Sequence, residues 1–373
     1  MNRWALSAFG FLLTAAYCPY IVGAADTPRW LVLAVFVSIT MLVLFLRGDE
    51  IQVTWAHALG VIFLGWAAFS LWWTQTPLDS IDALWPLMLV GGCFALGSLI
   101  EDACPLLIGA AIGIGLSSGL MLIEFTTGWR LGAAGVEAGR PMMGLFGNPD
   151  HAAETAALVL MALFAHRGQL PRFWLLVGLT MPCLLLTLAR GAILATAVAL
   201  GVMVLQSSWA TRRGPLLARL AAIFGIIAVC IAVMALRPAP ESITARLAIW
   251  ADMGPGLTLF GRGIGSFAGT FPLFARHVDI TAVRDMFAHN DLLQIAYELG
   301  LPGLIAALAF VFVVLSSPSQ FRLVFLALLV EASFGFPLHL PASAGFGLML
   351  AGCACRDLPR VCFPSVLGRI PIS

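Results

Sequence analysis

The chain has 373 residues, 61% of them hydrophobic and 10% charged, with a net charge of +1 and a mean hydropathy of +0.98. A soluble domain carries about 25% charged residues, so this composition excludes a globular enzyme with an appended anchor and implies an all-α, polytopic integral membrane protein. No basic excess points to nucleic acid, and none is expected as a partner.

In chain order, twelve apolar stretches reach or approach the roughly 20 residues of a membrane span. They lie near 4–24, 29–46, 53–73, 81–100, 105–124, 149–166, 173–189, 191–207, 216–236, 291–315, 321–338 and 340–355. The first lacks a small-residue cleavage site followed by a soluble domain, so it reads as a retained span and not a signal peptide. The last two are short and separated by Pro337 and Pro341, which also allows a re-entrant pair. Residues 1–373 read as one polytopic domain without internal repeats. The cysteines, Cys18, Cys93, Cys104, Cys183, Cys230, Cys353, Cys355 and Cys362, form no C-x-x-C pair, so neither a zinc site nor a disulfide framework is expected.

Every basic residue is arginine, and arginines in short loops set orientation. With a cytoplasmic N-terminus, Arg3, Arg47, Arg167, Arg172, Arg212, Arg213, Arg219, Arg322, Arg356, Arg360 and Arg369 all lie inside. Segments 125–148 and 237–290 then face the periplasm or cell exterior. The second is a large polar loop with Arg237, Arg246, Arg262, Arg276, Arg284, His277 and His289. Positive charge on that face points to an anionic ligand, with phosphate the leading candidate.

Four segments have the composition for chemistry. Arg190 stands where one apolar run ends and the next begins, either snorkelling to headgroups or facing a polar cavity. Glu241 to Trp250 reads as a short amphipathic helix with Arg246 and Trp250 on one face, set for membrane anchoring or for phosphate. Gly261-Arg262-Gly263-Ile264-Gly265-Ser266-Phe267 alternates glycine, as a tight turn or as a nest of anion-binding amides. His289-Asn290-Asp291 opens an apolar run in which Asn290 or Asp291 caps a helix, and Glu298 lies two turns further in as a carboxylate inside a span. No Asp/His cluster has metal-ligand spacing, and no metal or other cofactor is expected.

The order of these motifs resembles the bacterial O-antigen ligase and O-antigen polymerase superfamily. The resemblance covers about 140–340. It begins at Gly144-Leu145-Phe146-Gly147-Asn148-Pro149-Asp150-His151, similar to the family's G-x-F-x-N-P-N with Asp150 in place of Asn. Ala189-Arg190-Gly191-Ala192 is similar to S-R-G-A. Arg246-x-x-x-Trp250, the glycine turn, and His289-Asn290-Asp291-Leu292-Leu293-Gln294 with Glu298 follow.

The resemblance implies a glycosyltransferase fold of the membrane-embedded C class. It implies transfer of a glycan from undecaprenyl diphosphate to an acceptor hydroxyl at the periplasmic face of the bacterial inner membrane, without metal. The acceptor is lipid A-core for a ligase, or another lipid-linked glycan for an O-antigen or exopolysaccharide polymerase. By carry-over, Arg190, Arg246 and His289 are catalytic: the arginines neutralise the diphosphate, and His289 is base or diphosphate ligand. Asn148, Trp250, Gly263, Gly265, Glu298 and Asn290 are expected to contact substrate, among membrane lipids. A transporter of the lipid-linked glycan is the rival of another class, but it would spread charge through the spans and show internal symmetry.

Overall fold

The computed structural model describes residues 2–18, 27–47, 52–131, 142–206, 215–236, 240–278 and 287–359. Arg212, Arg213, Arg237, Arg284, Arg360 and Arg369 lie outside them. No β-strand occurs among the described residues. The helices are α1 (Arg3–Ala15), α2 (Thr27–Arg47), α3 (Trp55–Phe69), α4 (Pro77–Gly97), α5 (Cys104–Thr127), α6 (Pro149–Ala165), α7 (Phe173–Thr187), α8 (Arg190–Gln206), α9 (Pro215–Leu236), α10 (Pro240–Met253), α11 (Phe267–Thr270), α12 (Asp291–Leu315), α13 (Arg322–Ala332) and α14 (Pro341–Cys355).

Each expected apolar stretch contains a helix. Among the described residues, five are long and apolar enough to cross a membrane: α2, α3 with its 3₁₀ extension to Trp72, α4, α5 and α12. Apolar α7, α8 and α14 are shorter.

α6 is the centre of the bundle, with an unbroken buried run from Thr155 to Leu163. α1 packs so closely on α5 that a Cβ at Gly109 would run into the Ser7 carbonyl. Where lipid is as apolar as the side chains, such close approach is what holds helices together.

Segment 237–290 contains the helix expected over Glu241 to Trp250, as part of Pro240–Met253. Its described part holds α10, α11 and three 3₁₀ or tight turns around a small core of Ile249, Met253, Phe267, Phe271, Ala288 and Tyr297. Asp252, itself buried, ties the segment together: its carboxylate accepts the backbone N–H groups of Arg276 (2.7 Å) and His277 (2.8 Å) and bonds His277 Nδ1 (2.6 Å).

α12 is broken at Gly300, whose φ of 65° and ψ of −162° are open to glycine alone. A break inside an apolar helix frees carbonyls that need new donors. Here Arg262 N–H bonds Tyr297 O (3.2 Å), Gly263 N–H bonds Glu298 O (2.8 Å) and Trp66 Nε1–H bonds Leu299 O (2.8 Å). The glycine turn is thus the plug that makes the break tolerable.

Candidate functional site

The first wall of the site is the start of α6. The turn before it is held from below: Glu124 accepts the N–H groups of Met143 (2.8 Å) and Gly144 (3.2 Å), and Ser117 Oγ accepts that of Leu145 (3.1 Å). Fully buried Arg29 donates to the carbonyls of Leu13 (3.1 Å) and Leu145 (3.2 Å) and lies 3.7 Å over the Phe146 ring. Asn148 then caps α6, its side-chain oxygen accepting the Asp150 N–H at 2.9 Å, with Pro149 in the first turn. Asp150, His151 and Glu154 follow within the first turn and a half. The Asn148 acceptor is thus used as a helix cap, and it positions the residues after it.

The second wall carries the arginines. α7 ends at Thr187 and α8 begins at Arg190, a reversal that requires Leu188 at φ 51°. Arg190 Nη1 is buried, with no hydrogen-bond partner among the described residues. Arg246, on α10, is half-buried. Burial pulls its guanidinium below the ordinary arginine value, Asp150 and Glu154 push it up, and the Arg190 charge pulls it down. Two arginines and two carboxylates from three separate helices are therefore neighbours. Arg190 faces this interior, so the snorkelling alternative is set aside.

The third wall is the start of α12. Asn290 caps it through the Leu293 N–H (3.0 Å) and donates Nδ2–H to Ser333 O (3.2 Å). Ala288 is gripped on both sides. Trp250 Nε1–H donates to its carbonyl (2.8 Å), and its N–H donates to Gln294 Oε1 (3.1 Å). Trp250 thus pins α10 to this segment, one turn from Arg246. His289, between these clamps, sits at φ 50°. A non-glycine residue held there costs about 1–3 kcal/mol and marks a surrounding structure that over-determines it.

The His289 ring packs edge-on to Phe336 (5.2 Å), and so does His151 (5.8 Å), while Phe287 stacks on Phe336 at 4.4 Å. Next door, a Cβ at Gly335 would stand 3.1 Å from Glu154 Oε1. Both imidazoles and Glu154 therefore converge on Gly335-Phe336.

Behind these walls runs a second polar layer. Asp291 bonds His339 Nδ1 (3.0 Å) and accepts the Leu338 N–H (3.1 Å). Burial lowers the His339 imidazole, but the Asp291 hydrogen bond and charge outweigh it and hold it above its ordinary value. Gln294 Nε2–H donates to Glu298 Oε1 (3.1 Å), and Glu298 accepts the N–H groups of Gly265 (2.8 Å) and Phe267 (3.3 Å). Ile264 N–H goes to Ser70 Oγ (2.9 Å). The amides of the glycine turn are therefore satisfied inside the protein. This favours the tight-turn reading over the anion nest, with the Gly263 and Gly265 amides and the Glu298 carboxylate all bonded within the protein. Asn290 and Trp250 likewise hold backbone groups of this wall. Arg262 turns to Gly256 O (2.6 Å) and the Phe274 ring (4.5 Å), and Arg276 is exposed. Of the segment's described arginines, Arg246 alone enters the site.

The sequence reading gave no role to Asp150, His151, Glu154, Glu331 or Phe336. Glu331 is buried on α13 beside Glu154, and neither of its carboxyl oxygens has a hydrogen-bond partner among the described residues. An ionisable residue inside an apolar helix is the signal that would have found both glutamates. Two hollows lie away from these residues: an apolar one around Leu59, Phe260 and Leu301, and another around Ser98 and Arg356.

Fold and site together define an all-helical, membrane-embedded protein with a partly buried site that brings arginines, carboxylates and imidazoles to one end of α6. No family model and no characterised protein matches the chain.

Proposed function

We propose that the protein is an inner-membrane glycosyltransferase of the O-antigen ligase type, with about twelve spans and its site facing the periplasm. It moves a glycan from undecaprenyl diphosphate to an acceptor hydroxyl, with lipid A-core as the acceptor class. The observation that supports this reading best is that Arg190 and Arg246 neighbour Glu154 on α6, while His289 packs on Phe336, whose neighbour Gly335 lies beside that same glutamate.

In the reaction, the acceptor oxygen bonds the anomeric carbon as the bond from that carbon to the diphosphate oxygen breaks. The electron pair leaves on the diphosphate, and Arg190 and Arg246 neutralise the charge that develops there. His289 takes the acceptor's hydroxyl proton.

The decisive experiment is deletion of the gene followed by gel analysis of surface polysaccharide and of lipid-linked intermediates. Loss of capped lipopolysaccharide with accumulated lipid-linked polymer is expected. Accumulation of single lipid-linked repeats would move the assignment to a polymerase, and an unchanged profile would reject both. For the topology, Leu273 is 73% exposed on the 237–290 segment. A cysteine placed there, in a chain lacking its native cysteines, should react with an impermeant thiol reagent from the periplasm. Ser266 is fully buried and unsuited to that purpose.

A further inference from the structure

The end of α6 opposite the arginine site carries a second cluster, for which the sequence gave no sign. Among the described residues, one group offers three donors of metal-ligating type: Asp102 before α5, Cys104 at its start and His166 just after α6. Their ligating atoms all lie within 4.8 Å of one another. A tetrahedral zinc ion with bonds of about 2.0–2.3 Å holds its ligands about 3.4–3.7 Å apart, so a closure of about 1 Å is enough. This corrects the expectation that no such cluster exists.

The three groups are already oriented. The Asp102 carboxylate is fixed by the Cys104 N–H (2.9 Å) on one oxygen and by Arg3 Nη2 (3.1 Å) on the other. Ligating carboxylates are normally held by such outer partners, and each oxygen keeps a lone pair. The His166 ring stacks on Phe321 (5.3 Å between centroids), and its Nε2 is buried without a hydrogen-bond partner among the described residues. The Cys104 thiol is buried, contacts Gln169 O weakly at 3.4 Å and bonds the Asp102 carboxylate, the other ligand-type group beside it. Asp102 and Arg3 are open to solvent, which gives an ion a way in.

We propose that Asp102, Cys104 and His166 bind a divalent ion of the zinc class, joining the α4–α5 turn to the end of α6. A thiolate, an imidazole and one carboxylate suit Zn²⁺ and disfavour Mg²⁺ and Ca²⁺, which take oxygen. Water completes a tetrahedral shell. Binding releases the Cys104 proton to solvent and leaves two net positive charges less one. At 1.5 Å per residue α6 is about 25 Å long, so the ion is remote from Arg190 and Arg246, and the inference does not depend on the glycosyltransferase reading.

The test uses the full-length protein in detergent, kept reduced, stripped with chelator and titrated with Co²⁺. One equivalent should produce a thiolate-to-cobalt charge-transfer band, which Zn²⁺ then abolishes. Cys104→Ala and His166→Ala should each lose the band, while Cys93→Ala, whose buried thiol lies elsewhere, should keep it. Every variant is first shown to elute as a single species with unchanged helical circular dichroism. A variant that fails this control is replaced by Cys104→Ser or His166→Gln, for which the same loss is expected. Absence of a stoichiometric band in the folded parent overturns the proposal, as does an undiminished band in a folded Cys104 or His166 variant.

Discussion

The glycine turn at 261–267 and the arginine site around Arg190 and Arg246 both bring polar groups into an apolar chain, but their hydrogen-bonding capacity goes to different places. In the turn, the amides of Arg262, Gly263, Ile264, Gly265 and Phe267 all end on acceptors of the protein itself, three of them on Glu298. In the arginine site, Arg190 Nη1 and both oxygens of Glu331 are buried without such partners among the described residues. Buried polar groups are normally satisfied. The turn's backbone amides are therefore committed to the protein, with Ser266 Oγ its one buried side-chain oxygen lacking a partner among the described residues, whereas the arginine site leaves charged groups uncommitted. Two regions that looked alike as candidate phosphate binders differ in which groups remain available: a single hydroxyl in one, a guanidinium in the other.

The contrast breaks most readily at the arginine site. On the glycosyltransferase reading, Arg246→Ala, Arg190→Ala and His289→Ala should each lower glycan transfer by about 10²–10³-fold or more at unchanged membrane abundance. Arg→Lys at either arginine should also lose most activity, since lysine offers a point charge and no planar fork. His289→Ala should still bind donor lipid. Near-normal transfer by His289→Ala at equal abundance would sink its assignment as the base.

Glu298 tests the other half. Glu298→Ala leaves the Gly265 and Phe267 amides without their acceptor, at about 1–3 kcal/mol for each orphaned donor. The expected outcome is a fall in thermal stability and membrane abundance. A Glu298→Ala protein of full stability that had lost only donor binding would show that the turn belongs to the site after all. Gly263→Ala should fail in the same way, because its φ of 104° and the Thr74 side chain leave no room for a Cβ.

A smaller effect is expected at the seam between the regions. Trp250→Phe removes the bond to the Ala288 carbonyl and should cost about 0.5–1.5 kcal/mol, read by thermal unfolding. Activity should fall only as far as His289 loses its setting. Retention of full stability would mean that α10 is held by packing alone.

The smallest effect is one of pH. Burial by itself raises the Asp252 carboxyl, but the donors from His277 and Arg276 outweigh it and hold it below its ordinary value. A depressed carboxyl contributes stability that is present above the unfolded value, near 3.9, and lost as pH falls through the lower folded value. Hydrogen exchange across 240–278 should therefore rise only in acid below about pH 4, and Asp252→Asn should flatten that dependence. An equal acid response in Asp252→Asn would place its origin elsewhere.

Sequence alone determined the helical membrane class, because an apolar content of this size leaves no soluble alternative, and it determined where most helices lie, because span length follows from bilayer thickness. It also marked Arg190, Arg246 and His289 as residues worth placing. It did not separate them from Gly263, Gly265, Glu298 and Asn290, since a polar residue in an apolar context looks the same whether it meets a ligand or a backbone amide. That distinction is a matter of hydrogen-bond partners distant in sequence, such as Glu298 with Gly265 or Trp250 with Ala288. The same holds for the charges. Asp150 and Glu154 stand on α6 and Glu331 on α13, and only helix packing brings the first two to Arg246 on α10 and the third to Glu154. Composition and periodicity act along the chain; neutralisation and hydrogen bonding act across it, and that is why the tertiary structure alone decided which polar residues were still available.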